Sequence, residues 1–281
     1  MLQQVKQPIQ FIVSFLFMVS LTSCSIKRYA DVYYGSKLQS VTTHSTLSIF
    51  TDRNETDIAK PVLIFVYGGN WNSGRKELYN YVGRNFSKHD MVVVMPDYVK
   101  SPKVSYKEMA TQIATSIQWV KDNIADYGGN PDRIFLTGHS AGGHLVALAT
   151  LNPEFGVDQK DIKGIILNDA AGLDMETYLK NNPPTTSDDY LTTWTNNPAE
   201  WKNASPINFL NANTPKIKMY TGRKTYKSII SSNDRFLKEL QKYQPEASIQ
   251  WLDKRHIPMV AQLFWPWSDR FEEVATFIHQ N

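Results

Sequence analysis

The 281-residue sequence predicts an α/β fold: a mostly parallel sheet with helices on both faces. Three observations point there. Short continuous apolar runs have the length of strands buried on both sides, without the period-two alternation of a half-exposed sheet. Helical patterns separate these runs, which is the order of a βαβ chain. In TGHSAGG a serine also sits between glycines, directly after one apolar run and directly before a small-residue helix.

From residue 25 to 57 the chain is polar, with STLSIF (Ser45 to Phe50) the best candidate for an edge strand. PVLIFVYGG (Pro61 to Gly69) is a buried strand stopped by a glycine pair, and MVVVMPDY (Met91 to Tyr98) is a second. RKELYNYVGRNFSKH, between them, has helical spacing. A long amphipathic helix follows, with Met109, Ile113, Ile117 and Val120 on one face and Gly128-Gly129 ending it. RIFLTG, IKGIILND, KIKMYTG and ASIQWL are the remaining strands, while NDRFLKELQKYQ and DRFEEVATFIHQ are helices. Between Met175 and Asn213 the pattern lapses into a stretch rich in Pro, Asn, Thr and Trp. So long an irregular segment inside a compact domain reads as a small cap over the carboxyl edge of the sheet.

A hydrophobic content of 42% at this length is enough for one domain with a large core. The net charge of +3, without a basic run, argues against nucleic acid as a partner. No motif calls for a metal or an organic cofactor.

Gly138-His139-Ser140-Ala141-Gly142 fits G-x-S-x-G, the spacing that lets a serine stand on a sharp turn between strand and helix. The glycines permit close backbone approach, and the Ala141 amide at the helix N-terminus faces any oxyanion formed beside Ser140. At this point the sequence resembles the α/β-hydrolase fold serine esterases, in particular the carboxylesterase and arylformamidase-like group. VYGGNWNSG looks like their H-G-G-x-W loop, PDYVKSP like the loop after the next strand, and IADYGGNPDRIFLTGHSAGGHLVAL like their elbow region. The resemblance implies an oxyanion hole from the amides of Gly69, Asn70 and Ala141. Tyr67 departs from it, standing where the family has histidine.

A serine nucleophile needs a base, and the base needs an acid to fix its tautomer. Of six histidines, His256 follows the last strand, where the order Ser…acid…His puts the base. His44 and His89 lie in early polar segments and His279 in the last turn of the terminal helix. His139 and His144 belong to the elbow and suit packing or loop support better than a metal site. The resemblance implies an acid in a G-x-x-D pattern after KIKMYTG, but the chain reads Gly222-Arg223-Lys224-Thr225. Asp169, at the end of the preceding strand, is the favoured replacement. Asp253, Asp234 and a Ser-His dyad steadied by Thr225 or a backbone carbonyl stay open, and Asp174 reads as a helix N-cap. Trp71, Tyr67, Tyr190, Trp194, Trp201 and the QLFWPWSD cluster are candidates for an apolar pocket. Phe264 to Trp267 alternatively suit a lipid surface beside an anchor.

The first residues carry their own expectation. FIVSFLFMVSL is too short to span a bilayer and suits a signal-peptide core. It ends in LTSC, which resembles the bacterial lipobox, and Cys24 is the only cysteine. The expected organisation is a lipoprotein signal peptide over 1–23, then a hydrolase domain over 24–281 with its cap at about 175–213. Cys24 would be lipidated and anchored in the bacterial cell envelope. The expected activity is hydrolysis of small, partly apolar carboxylic esters through an acyl-enzyme. An arylformamidase-like amidase and a degenerate, membrane-anchored binding protein are the alternatives.

Overall fold

The computed structural model describes residues 26–35, 45–52 and 58–281. Its strands are β1 (Ile26–Tyr33), β2 (Thr46–Asp52), β3 (Lys60–Val66), β4 (Val92–Pro96), β5 (Gly129–His139), β6 (Ile162–Asn168), β7 (Lys216–Gly222) and β8 (Ile249–Leu252). They form one sheet in the order β1-β2-β4-β3-β5-β6-β7-β8. β2 is antiparallel to both of its neighbours, and from β4 to β8 every pairing is parallel. The fold class read from the sequence is the one observed.

Helices α1 (Asn80–Ser87), α2 (Tyr106–Asn123), α3 (Ala141–Leu151), α7 (Lys227–Leu240) and α9 (Arg270–Gln280) surround the sheet. In β5, Ile134 lines a surface cavity together with Thr111 and Ala114 of α2, whereas Phe135 meets Phe277 of α9 with ring centroids 6.2 Å apart. Successive strand residues point to opposite faces, so α2 and α9 lie on opposite sides of the sheet. Phe86 of α1 packs edge-on against Phe271 of α9 at 4.7 Å, which joins those two helices on one face. α2 starts where Ser105 and Glu108 form a capping box.

The edge strand is a correction. All of STLSIF but Ser45 lies within β2, which is paired on both sides, and β1 is the edge on that side of the sheet. β1 has lysine and arginine on its outer positions and one fully buried residue, Ile26, so its hydrophobic signal is too thin to read from periodicity. Cys24, the segment 1–23 and His44 lie outside the described residues.

The irregular stretch resolves into three short helices, α4 (Met175–Asn181), α5 (Tyr190–Trp194) and α6 (Pro198–Asn203). Each carries too few turns to hold itself in water, so tertiary contacts hold them. Trp194 is fully buried, with Trp71 edge-on at 4.8 Å and Tyr106 of α2 stacked at 5.5 Å.

Candidate active site

The nucleophile elbow forms because glycine is the only residue that fits around it. A Cβ on Gly138 would stand 2.4 Å from the Gly142 backbone, and one on Gly142 only 2.1 Å from the Val66 carbonyl oxygen. Ser140 itself takes φ 55° and ψ −123°, a left-handed conformation that L-residues avoid. Its amide donates to the Asn168 carbonyl at 3.3 Å, and its carbonyl accepts from the Ala171 amide at 3.1 Å. The turn is therefore fastened to the end of β6.

From there the hydroxyl reaches the His256 ring. Ser140 Oγ lies 2.9 Å from His256 Nε2, and His256 Nδ1 lies 2.6 Å from Asp169 Oδ2. The carboxylate holds the ring proton on Nδ1, which leaves Nε2 as the acceptor facing the serine. His256 is the first residue of α8 (His256–Ala261), and Asp169 directly follows β6 with φ 49°. Asp169 is fully buried, and its other oxygen, Oδ1, accepts the Gly222 amide at 2.9 Å.

Of the candidate acids, then, Asp169 alone is in place. Asp253 is exposed and paired with Lys224 at 2.8 Å, and Asp174 caps α4 while binding Arg235 Nε at 2.5 Å. Asp234 lies within α7, and the hydrogen bonds of the His256 ring go to Ser140, Asp169 and Thr225. Thr225, at the position where the resemblance implies the acid, donates its hydroxyl to Asp169 Oδ2 at 2.5 Å.

The oxyanion loop has Gly69, Asn70 and Trp71 all at positive φ, 143°, 50° and 59°. A Cβ on Gly69 would strike the Ser73 carbonyl oxygen at 2.2 Å, so glycine is required there. Among the described residues no backbone carbonyl accepts from the amides of Gly69, Asn70 or Ala141. Tyr67 anchors this loop from below. Its hydroxyl donates to Asp97 Oδ1 and accepts from Lys100 Nζ at 3.1 Å, and burial pushes its ionisation well above the ordinary tyrosine range. The tyrosine is thus held by side chains of the segment after β4.

His144 ties the loop to the cap. Trp71 Nε1 donates to His144 Nδ1 at 3.1 Å, so the other ring nitrogen carries the proton, and Nε2 donates to the Ala204 carbonyl at 2.8 Å. His139 is also buried, with Nε2 3.1 Å from the His256 carbonyl. Burial pulls these two histidines down, to about 4 for His144 and about 3 for His139. Both stay neutral in the fold while an unfolded chain, near 6.5, takes up protons. The sign follows: as pH falls from about 6.5 toward 4 the unfolded state binds more protons, and stability drops. Thermal midpoints between pH 7 and 5 are expected to fall, and His144→Gln is expected to flatten that slope; an unchanged slope in the variant would contradict it. His139, Asp169 and His256 do bring ligand-type atoms within 4.8 Å of one another, but the hydrogen bonds above already engage them.

Ser140 and His256 open onto a cleft of about 960 Å³. Trp71, Tyr190 and Phe264 line it as the sequence suggested. Tyr67, Trp194 and Trp201 instead are buried packing residues, and Trp265 and Trp267 stack on each other outside the cleft, 56% and 76% exposed. Tyr79, Tyr178, Tyr226 and Ile257 also line it and were missed. Tyr178 stands one turn after Met175 on α4, and Tyr226 adjoins Thr225, so their spacing was the available signal. The cap reaches the oxyanion loop directly where Tyr190 donates its hydroxyl to Asn70 Oδ1 at 3.2 Å.

The comparisons with known proteins bear on the fold and the family. Isoprenylcysteine alpha-carbonyl methylesterase ICME of Arabidopsis thaliana is 36% identical over 134 residues, 48% of this chain and 29% of that protein. Esterase LipQ of Mycobacterium tuberculosis is 44% identical over 94 residues, 33% of this chain and 22% of that protein. The chain thus matches less than a third of the length of these curated relatives. Among solved structures, esterase B from Lactobacillus rhamnosis superposes with a TM-score of 0.73 at 18% identity, covering 97% of this chain and 95% of that one. A truncated carbohydrate esterase from gut microbiota gives 0.72 at 21% identity, covering 91% and 99%. At such identities these neighbours establish the α/β-hydrolase fold. The BD-FAE family model matches residues 47–238, most of the chain, and the protein belongs to the BD-FAE family.

Proposed function

We propose that this chain is a serine hydrolase that cleaves carboxylic esters of small, partly apolar substrates through an acyl-enzyme. The observation that carries the reading is the continuous contact from Ser140 Oγ through His256 to Asp169, at 2.9 and 2.6 Å, on the wall of a cleft. Ser140 Oγ attacks the ester carbonyl carbon while His256 Nε2 takes its proton, and Asp169 balances the imidazolium. The amides of Gly69, Asn70 and Ala141 hold the tetrahedral oxyanion. The C–O bond to the leaving group then breaks, and His256 returns the proton to the departing alkoxide. Water, deprotonated by His256, attacks the acyl carbon; the acid leaves and Ser140 regains its proton. Trp71, Met175, Val260 and Phe264 give the cleft its apolar walls. The alternative of a degenerate binding protein rested on Tyr67 and Thr225, and each has a partner that serves the site. Hydrolysis of p-nitrophenyl acetate and butyrate, with fluorophosphonate labelling of Ser140, tests the reading; an inactive and unlabelled chain would overturn it.

We further propose that Cys24 is lipidated and holds the protein to a bacterial membrane. β1 starts two residues later, at Ile26, which pairs with Asp52 while Tyr33 pairs with Thr46. Leu47, next to Thr46, pairs with Pro96 at the carboxyl end of β4, so Ile26 stands at the amino edge of the sheet, opposite the cleft. Two residues of chain reach at most about 7 Å, against about 26 Å for an eight-residue strand. An anchor at Cys24 therefore holds the cleft, with Phe264 on its wall, facing away from its own membrane. Expected results are a membrane-bound full chain, a soluble Cys24→Ser variant, and a fluorophore on Ile257 beyond the reach of quenchers in the bilayer. Strong quenching of that fluorophore would reject the orientation.

A further inference from the structure

The turn after β7 does more than replace a missing carboxylate. Arg223 donates its amide to the Leu252 carbonyl at 2.7 Å, Lys224 to Lys254 at 3.1 Å, and Thr225 back to Gly222 at 3.3 Å. These bonds clamp the turn against the strand end that leads into His256. Gly222 has no room for a side chain, since a Cβ there would meet the Lys254 carbonyl oxygen at 2.5 Å. The turn presents two donors to one carboxylate: the Gly222 amide to Asp169 Oδ1 at 2.9 Å and the Thr225 hydroxyl to Oδ2 at 2.5 Å. Asp169 needs such help. It sits at φ 49°, outside a regular strand, and nothing in β6 itself fixes the plane of its carboxylate.

We infer that Thr225 is a positioning residue that sets the carboxylate plane of Asp169 against His256, and that residues 169 and 225 are interchangeable seats for the acid. The second part follows from convergence. Thr225 Oγ1 lies 3.4 Å from His256 Nδ1, the same nitrogen that Asp169 meets at 2.6 Å. A carboxylate on either seat reaches that nitrogen, and a hydrogen-bonding side chain on the other completes the pair. With both oxygens held, the carboxylate cannot rotate away when the imidazole becomes charged, so the benefit falls on the chemical step and not on substrate binding.

The inference rests on the proposed hydrolase reading, and four variants test it. Thr225→Val, which keeps the shape and removes the donor, is expected to lower kcat about tenfold with KM nearly unchanged and the thermal midpoint lowered by a few degrees, while Thr225→Ser keeps most of the activity and the stability. Asp169→Asn/Thr225→Asp is expected to exceed Asp169→Asn alone by about 100-fold in kcat, because a carboxylate again faces Nδ1. Wild-type kcat in Thr225→Val, equal losses in the Val and Ser variants, or a double variant no better than Asp169→Asn would each overturn it. A readout independent of turnover separates this from failure of the hydrolase reading. The downfield proton resonance of the His256 Nδ1–H, bonded to Asp169, should be kept in Thr225→Ser and shifted or broadened in Thr225→Val. An unlabelled Ser140 would reject the hydrolase, whereas an unmoved resonance in Thr225→Val would reject the positioning role.

Discussion

Replacing Ser140 with alanine is expected to cut ester hydrolysis by about 10⁶-fold in kcat and to abolish fluorophosphonate labelling. Among the described residues no other hydroxyl is hydrogen-bonded to His256 Nε2, which lies 2.9 Å from Ser140 Oγ, so the variant is not expected to form the acyl-enzyme. The fold should survive. The elbow is held by the Ser140 backbone, through Asn168 and Ala171, and by the glycines at 138 and 142. Alanine pays no greater conformational cost than serine at φ 55°. A thermal midpoint close to wild type with turnover at background would establish a chemical role. Retention of more than a few per cent of kcat would place the nucleophile elsewhere.

Asp169→Asn is the second large effect, an expected fall of about 10⁴-fold in kcat with little change in KM. An asparagine fits the same space, but its amide group can turn a donor toward His256 Nδ1. The ring then carries its proton on Nε2, where it donates to Ser140 and cannot accept. The imidazolium formed during attack also loses the buried charge that balances it, at a position with no exposure to water. Asp253→Asn serves as the comparison, because its carboxylate is exposed and bound to Lys224. If the two variants lost activity alike, the acid would not be Asp169. Measuring both with one soluble ester separates the acid from the general acidity of the surface.

Much of this architecture was legible along the chain. The apolar runs that became β3 and β4, and the carboxyl halves of β5, β6 and β7, are buried on both faces, and such strands announce themselves by composition. The elbow was legible because it compresses a strand end, a strained turn and a helix start into one short local pattern. His256 was legible from its place after the last strand. β1 was not, since an edge strand with one covered face and charged outer positions resembles a loop. The cap helices were not either, because Trp194 stabilises them through contacts with Trp71 and Tyr106, far away in sequence.

By itself, then, the sequence determined the fold class from the order of its apolar runs and helices, and it located the Ser140 turn and the glycine loop at Gly68-Gly69 from residues close together in the chain. It left the acid open among Asp169, Asp253, Asp234 and none. Only the tertiary structure decided which carboxylate meets His256, which of its oxygens Thr225 bonds and which side chains hold Tyr67. Asp169 and His256 are 87 residues apart, and they meet because β6, β7 and β8 are parallel neighbours whose carboxyl ends share one edge. That adjacency comes from strand order and register, which hydrophobic pattern constrains only through the packing of the whole sheet.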